Sequence, residues 1–173
     1  MENQEPKTRK HAITWGLISG GIGVAFLLML YFLDMHYQGG FGVLAVNLVI
    51  TLIIVILALR AFKQSNEGFM KLGQALKLAV GLCLIGGLIG ITFQLIVQNV
   101  IDPEFFTKQE AFQTQSLQEY GLSQEQIEGQ IEMGRNFRSP LIQYGFGLVV
   151  SALIGLIFGL IAGLIMKKER PAY

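Results

Sequence analysis

The sequence is poor in charge, and the deficit is concentrated. Only 14% of its 173 residues are Asp, Glu, Lys or Arg, against about 25% in ordinary soluble domains. Four stretches, 12–33, 41–59, 78–101 and 141–166, contain none at all. Proton-coupled pumps and voltage sensors work through ionisable residues deep in the membrane, so this absence argues against both. Cysteine is scarcer still. Cys83 stands alone, which excludes an intrachain disulfide and a CxxC zinc or redox site. The two histidines, His11 and His36, belong to no HExxH, and no GxxxxGK[ST] loop is present to hold a nucleotide. Asp34 and His36 have no evident serine partner and read as a polar turn. A net charge of +1 gives no field for nucleic acid. The expectation is a non-enzymatic protein with no catalytic residues, no cofactor, no metal centre and no nucleic-acid partner.

What fills the space is apolar. Hydrophobic residues make up 52% of the chain, and mean hydropathy is +0.52. There are 21 glycines and only 4 prolines. Glycine without a collagen period fits transmembrane helices, where it is more frequent than in soluble ones. A helix crossing the hydrocarbon core needs about 20 apolar residues, and the four uncharged stretches meet that length. The second is rich in Val, Ile and Leu, yet it is too long and unbroken for a strand, because lipid-exposed strands alternate and close into barrels. Fourteen of its nineteen residues are Leu, Ile, Val or Phe. At roughly 0.3–0.6 kcal/mol each, their insertion gains about 4–8 kcal/mol as an upper bound. The first stretch is longer than a signal-peptide core and no A-x-A site follows it, so it reads as a retained span.

Basic residues set the orientation. With both tails (1–11 and 167–173) and the 60–77 loop in the cytoplasm, that face holds ten basic and four acidic residues. The other face holds three basic and eight acidic residues. The positive-inside bias favours this arrangement over its inverse. The expected location is therefore the bacterial cytoplasmic membrane, with both termini inside. The segment 69–76 carries Lys71 on a helical pattern and is expected at the inner interface, with Lys77 snorkelling to water.

The 102–140 loop is too long for plain coil and reads as an extracytoplasmic helical hairpin. Asp102-Pro103 supplies an N-cap and N1 proline. Phe105, Gln109, Phe112, Ser116 and Tyr120 fall on one face. Gly121 suits C′ with Leu122 as its Schellman partner. Ser123 and Gln126 form a capping box, Ile127, Ile131 and Gly134 form an inner stripe, and Ser139-Pro140 ends the second helix. Phe105, Phe106 and Phe112 are expected to pack on the partner helix or the outer leaflet, or to dock another protein. Glu125, Glu128 and Glu132 stack on the second helix. They read either as a cation site or as a solvated face with Glu132 paired to Arg135.

The fold class is thus an all-α integral membrane protein, a four-transmembrane-helix bundle with a two-helix hairpin between spans 3 and 4. Small residues recur every fourth position in the last span, at Gly147, Ser151, Gly155, Gly159 and Gly163. Gly16 and Gly20 in the first span and Gly86 and Gly90 in the third are shorter versions. Such ridges let helices approach closely, either within the bundle or in a homo-oligomer. The polar residues inside spans are few. Asn47 and Thr51 lie one turn apart in the second span, and Gln94 and Gln98 one turn apart in the third. At 1.5 Å per residue, Asn47 and Gln94 fall at the same depth. They are predicted to meet, as an interhelical hydrogen bond or as the floor of an outward-facing pocket.

The glycines of the first span (Gly16, Gly20, Gly21, Gly23), the aliphatic second span, the segment from Gly68 to Lys77, the turn at Gly121-Leu122-Ser123 and the glycine-rich fourth span occur together in this order. In that combination the chain resembles the bacterial family catalogued as domain of unknown function 4199, from His11 to Met166. The resemblance implies a small bacterial membrane protein and brings no activity or site residues with it. The functional expectation is a structural, assembly or regulatory component of the cell envelope, with the lipid bilayer and an envelope protein as partners. The alternative is a small transporter or channel component with a pocket near Asn47 and Gln94.

Overall fold

The computed structural model describes residues 8–170. Lys7 and the rest of residues 1–7 in the N-terminal tail, and residues 171–173 of the C-terminal tail, lie outside the described residues. Six α-helices follow one another: α1 (Thr8–Phe32), α2 (Gly40–Ser65), α3 (Leu72–Ile96), α4 (Phe105–Glu119), α5 (Gln124–Asn136) and α6 (Pro140–Met166). A π-helical turn, Val97–Ile101, continues α3. No strand occurs among the described residues. Four helices are long and apolar enough to cross a membrane: α1, α2, α6, and α3 together with its π turn. Their flanks expose large apolar side chains such as Leu17, Phe41, Val49, Leu153 and Ile165, far beyond the patches a water-soluble surface tolerates. The chain is read as a multi-pass membrane protein.

The helices outrun the uncharged stretches. α1 begins at Thr8, and α2 continues past Arg60 to Ser65. α3 starts at Leu72, so the stretch expected at an interface is instead the first turn and a half of a span. Hydropathy stops at the first charge, but the backbone ladder does not. Gln74 accepts from the Lys71 N–H at 2.9 Å, which satisfies one of the donors a helix start leaves free.

α3 is the centre of the bundle. α1 and α6 each lie along it and do not touch one another. The glycines explain why. A Cβ on Gly16 would sit 2.7 Å from the Ile85 Cβ, and one on Gly20 2.8 Å from the Ile89 Cβ. On α6, a Cβ at Gly155 would meet the Val80 Cα at 2.8 Å, and those at Gly159 and Gly163 would meet Ala79 and Ala75 at 2.7 and 2.9 Å. The small-residue ridge of α6 is occupied by α3, backbone against backbone, and gains dispersion contacts there.

α2 has no such ridge and packs through larger side chains. Its buried residues are Ile54, Val55, Ala58, Leu59 and Phe62, all in its second half. With Ala75, Leu78, Ala79, Leu82 and Ala162 they form the core. At this end the bundle is tied together. The Lys63 ammonium donates to the Met166 carbonyl at 2.7 Å, capping an α6 terminus that has no further helical partner. Met70 and Lys168 form an antiparallel backbone bridge. At the other end, the hairpin end, α2 stands away from its neighbours.

The hairpin itself turns as its sequence predicts. Gly121 has φ of 77°. Leu122 N–H reaches the Leu117 carbonyl and Gly121 N–H that of Gln118, the two bonds of a Schellman motif. Ser123 accepts from Gln126 N–H while the Gln126 side chain accepts from Ser123 N–H. The start of α4 differs from expectation. Glu104, not Asp102, occupies the N-cap position, and Asp102 is engaged elsewhere. The predicted α4 face is also only partly used. Phe105 is buried, Phe112 is at the surface, and Tyr120 is 81% exposed, because α5 and the bundle cover only the first turns.

Candidate functional site

Where α2 stands off, the bundle encloses a cavity of about 600 Å³, within the range of small-molecule sites. α1 contributes Ser19, Phe26 and Leu30; α2 contributes Val43, Asn47, Ile50 and Thr51. α3 and its π turn contribute Cys83, Gly86, Gly90, Gln94 and Gln98, and α6 contributes Gln143, Gly147, Ser151 and Ile154. Glycines on three of these helices remove side chains that would otherwise fill the space. At Gly90 and Gly23 an added Cβ would meet nothing within 4 Å. No Asp, Glu, Lys or Arg lines the cavity. Its polar groups are amides, hydroxyls and one imidazole.

The structure therefore brings Asn47, Thr51, Gln94, Gln98, Gly86, Gly90, Gly147 and Ser151 around one space. Gly16, Gly20, Gly155, Gly159 and Gly163 lie instead at helix contacts. The predicted meeting of Asn47 and Gln94 is corrected: no hydrogen bond joins them among the described residues, and both line the cavity. The divergence of α2 separates two side chains that share a depth. The hydroxyls of Thr51 and Ser151 donate to the Asn47 and Gly147 carbonyls of their own helices, each at 2.8 Å.

The hairpin end of the cavity holds a polar group that sequence reasoning missed. His36, expected in an exposed turn, is buried with a side-chain exposure of 1%. Its Nε2 lies 2.9 Å from Oδ2 of Asp102, whose Oδ1 also accepts from Glu104 N–H at 3.1 Å. The Lys108 ammonium completes the cluster at 3.1 Å. Burial pushes the Asp102 carboxyl up, but hydrogen bonds from His36 and Lys108 and the Lys108 charge together hold it below its ordinary range. The same hydrogen bond raises Lys108. Asp102 is thus a carboxylate, which only accepts, so the His36 Nε2–H donates. Tyr31, Tyr37 and Phe105 surround the imidazole, with ring centroids 4.9, 5.4 and 5.6 Å away. The cluster joins the α1–α2 loop to the start of α4 across 66 residues of sequence. No local pattern encodes a pairing of that range.

Two buried polar atoms on this lining have no hydrogen-bond partner: Nδ1 of His36 and Oε1 of Gln98. Buried polar atoms are nearly always paired, so two at one end of one cavity mark it out.

A second ionic cluster fixes the hairpin. Glu110 on α4 accepts from Nε of Arg135 at 2.8 Å and from its terminal nitrogen at 3.0 Å, and also from Arg138. The Arg135 hydrogen bonds, aided by Arg138, outweigh burial and hold the Glu110 carboxyl at about 2. Arg138 also lies over the Phe106 ring, 4.5 Å from its centre. Arg135 was expected to pair with Glu132 on its own helix; it pairs across the hairpin with Glu110, where two donors meet one carboxylate. Glu125, Glu128 and Glu132 are exposed, and among the described residues no three His, Cys, Asp or Glu side chains converge to hold a metal ion.

Residues 14–168 match the model of the family described as protein of unknown function, DUF4199. No curated protein and no solved structure matches the chain. The match takes in all four apolar helices, the hairpin and every residue that lines the cavity, and the chain belongs to the DUF4199 family.

Proposed function

We propose that the protein is a non-enzymatic ligand-binding component of the bacterial cytoplasmic membrane. The α4–α5 hairpin would lie on the extracytoplasmic side, and the cavity beneath it would receive a small molecule. The observation that carries this reading is the uncharged cavity walled by four apolar helices. Its composition, mostly apolar with a few convergent polar groups, is that of ligand sites generally. Its lack of charge fits an uncharged molecule better than an ion. The test is to fill it. Gly90→Leu adds a side chain where there is room for one, so the fold is retained. Photolabelling by a diazirine-bearing alkane in lipid nanodiscs should mark the cavity stretches of α2 and α3 in the wild type and fall at least tenfold in Gly90→Leu. Equal labelling of the two proteins would defeat the reading.

Sidedness rests on the basic residues at the opposite end, among them Arg60, Lys63, Lys71, Lys77, Lys167, Lys168 and Arg170. An exposed Glu125→Cys thiol should react with a membrane-impermeant maleimide in intact cells, while buried Cys83 stays silent. Protection of that thiol until the cells are broken would reverse the orientation. A second reading, assembly with an envelope protein, is favoured by Tyr120 and Met133, large apolar side chains exposed on the hairpin. The same thiol, carrying a crosslinker, tests it: one recurring protein adduct supports this reading, and none opposes it.

A further inference from the structure

We propose that the cavity selects an uncharged amphiphile whose head group donates hydrogen bonds, an alcohol or primary amide, and that Gln98 and His36 are the residues that choose it. This rests on the ligand-binding reading above and adds the chemistry of the ligand.

Gln98 is 9% exposed and His36 7%, and both line the cavity at its hairpin end. Oε1 of Gln98 is an acceptor without a donor. With Nε2–H committed to Asp102, the neutral His36 ring presents a lone pair at Nδ1, and that atom too has no partner. Two acceptors without donors call for a ligand that brings donors. An alcohol or primary amide supplies them; an alkane supplies none. A carboxylate would bring only acceptors and would enter a space with no cation on its lining, which is costly for a desolvated charge. The deeper wall, with Phe26, Ile50, Cys83 and Ile154, suits an alkyl chain. The hydroxyls there are already bonded to their own helices, so they do not compete for the head group. The orphan atoms are closed off in the ligand-free fold, and a small outward shift of Phe105 and the first turn of α4 uncovers the imidazole.

A matched series tests the assignment. Diazirine-bearing dodecanol, dodecanamide, dodecanoate and dodecane are each compared in nanodiscs, with labelling counted only at cavity residues. The alcohol and the amide should label about tenfold more than the alkane and the carboxylate, the ratio expected for one buried hydrogen bond. Gln98→Leu should bring the alcohol down to the alkane while leaving alkane labelling unchanged, and Gln98→Asn should restore part of the preference. Equal labelling by all four chains, or a preference that survives Gln98→Leu, overturns the assignment while leaving the cavity as a binding site. Labelling by none of them overturns the cavity reading as well.

Discussion

A Gly155→Leu variant will lose its folded monomer. The smallest addition, a Cβ, already lies 2.8 Å from the Val80 Cα and 2.9 Å from the Ala79 carbonyl. Neither is a flexible side chain that could swing aside, so α6 must move away from α3 along its length. Overpacking of a core costs typically 1–3 kcal/mol, and a clash with backbone belongs at or above about 3 kcal/mol. The displacement also breaks the contacts of Gly159 and Gly163, which share the ridge. The variant should elute as aggregate in detergent size-exclusion chromatography or melt well below the wild type. Gly145→Leu is the control: it is on the same helix, exposed, with nothing near its missing Cβ. If Gly155→Leu melts with the wild type, close backbone approach is not what holds α6 to α3.

Asp102→Ala will release the hairpin end. The His36 Nε2–H would be left buried without an acceptor, which costs about 1–3 kcal/mol, and Lys108 would lose its partner. The loss is local, because the core at the opposite end shares no residue with the cluster. Hydrogen exchange should therefore rise at residues 33–39 and 102–108 and stay unchanged in 54–62. Asp102→Asn, which keeps an acceptor oxygen, should show a smaller rise. Uniform exchange across all three segments in Asp102→Ala would mean that the cluster does not anchor the loop. Acid should act in the same direction. Asp102 and Glu110 both lie below their ordinary values in the folded protein. A depressed carboxylate stabilises the fold fully above its unfolded value and loses that contribution as pH falls through the folded one. For Glu110 the window runs from about pH 4.5 down to about 2, so the hairpin should loosen progressively below about pH 4.5.

Much of this was legible in the sequence, for identifiable reasons. Span positions follow from uninterrupted apolar composition, and the Gly121-Leu122-Ser123 turn follows from residues whose local chemistry allows little else. The placing of Asn47, Thr51, Gln94 and Gln98 near one another follows from depth counting along straight helices. What depth counting lacks is azimuth and lateral distance. It brings Asn47 beside Gln94 when the absence of small residues on α2 leaves a cavity there instead. The His36–Asp102 pair was out of reach for a related reason. Asp102 carried a complete local explanation as a helix cap, and His36 sat in a short polar loop. Only the packing of α4 onto that loop shows that each residue completes the other. Arg135 repeats the pattern, with a plausible neighbour at Glu132 displaced by a better one at Glu110.

The π turn at Val97–Ile101 has a consequence for which mutations the chain can absorb. Its last bond runs from Asp102 N–H to the Val97 carbonyl at 2.9 Å, spanning one residue more than an α-helical bond. Asn99 and Val100 within it are exposed, so exchanging either for another residue alters little. Deleting either one rewinds the turn as ordinary helix and rotates everything beyond it by about 100°. Asp102 would then point away from His36 even though no residue of the cluster had been touched. At this joint the chain reads residue count rather than residue type, and drift there should be free in identity and frozen in length.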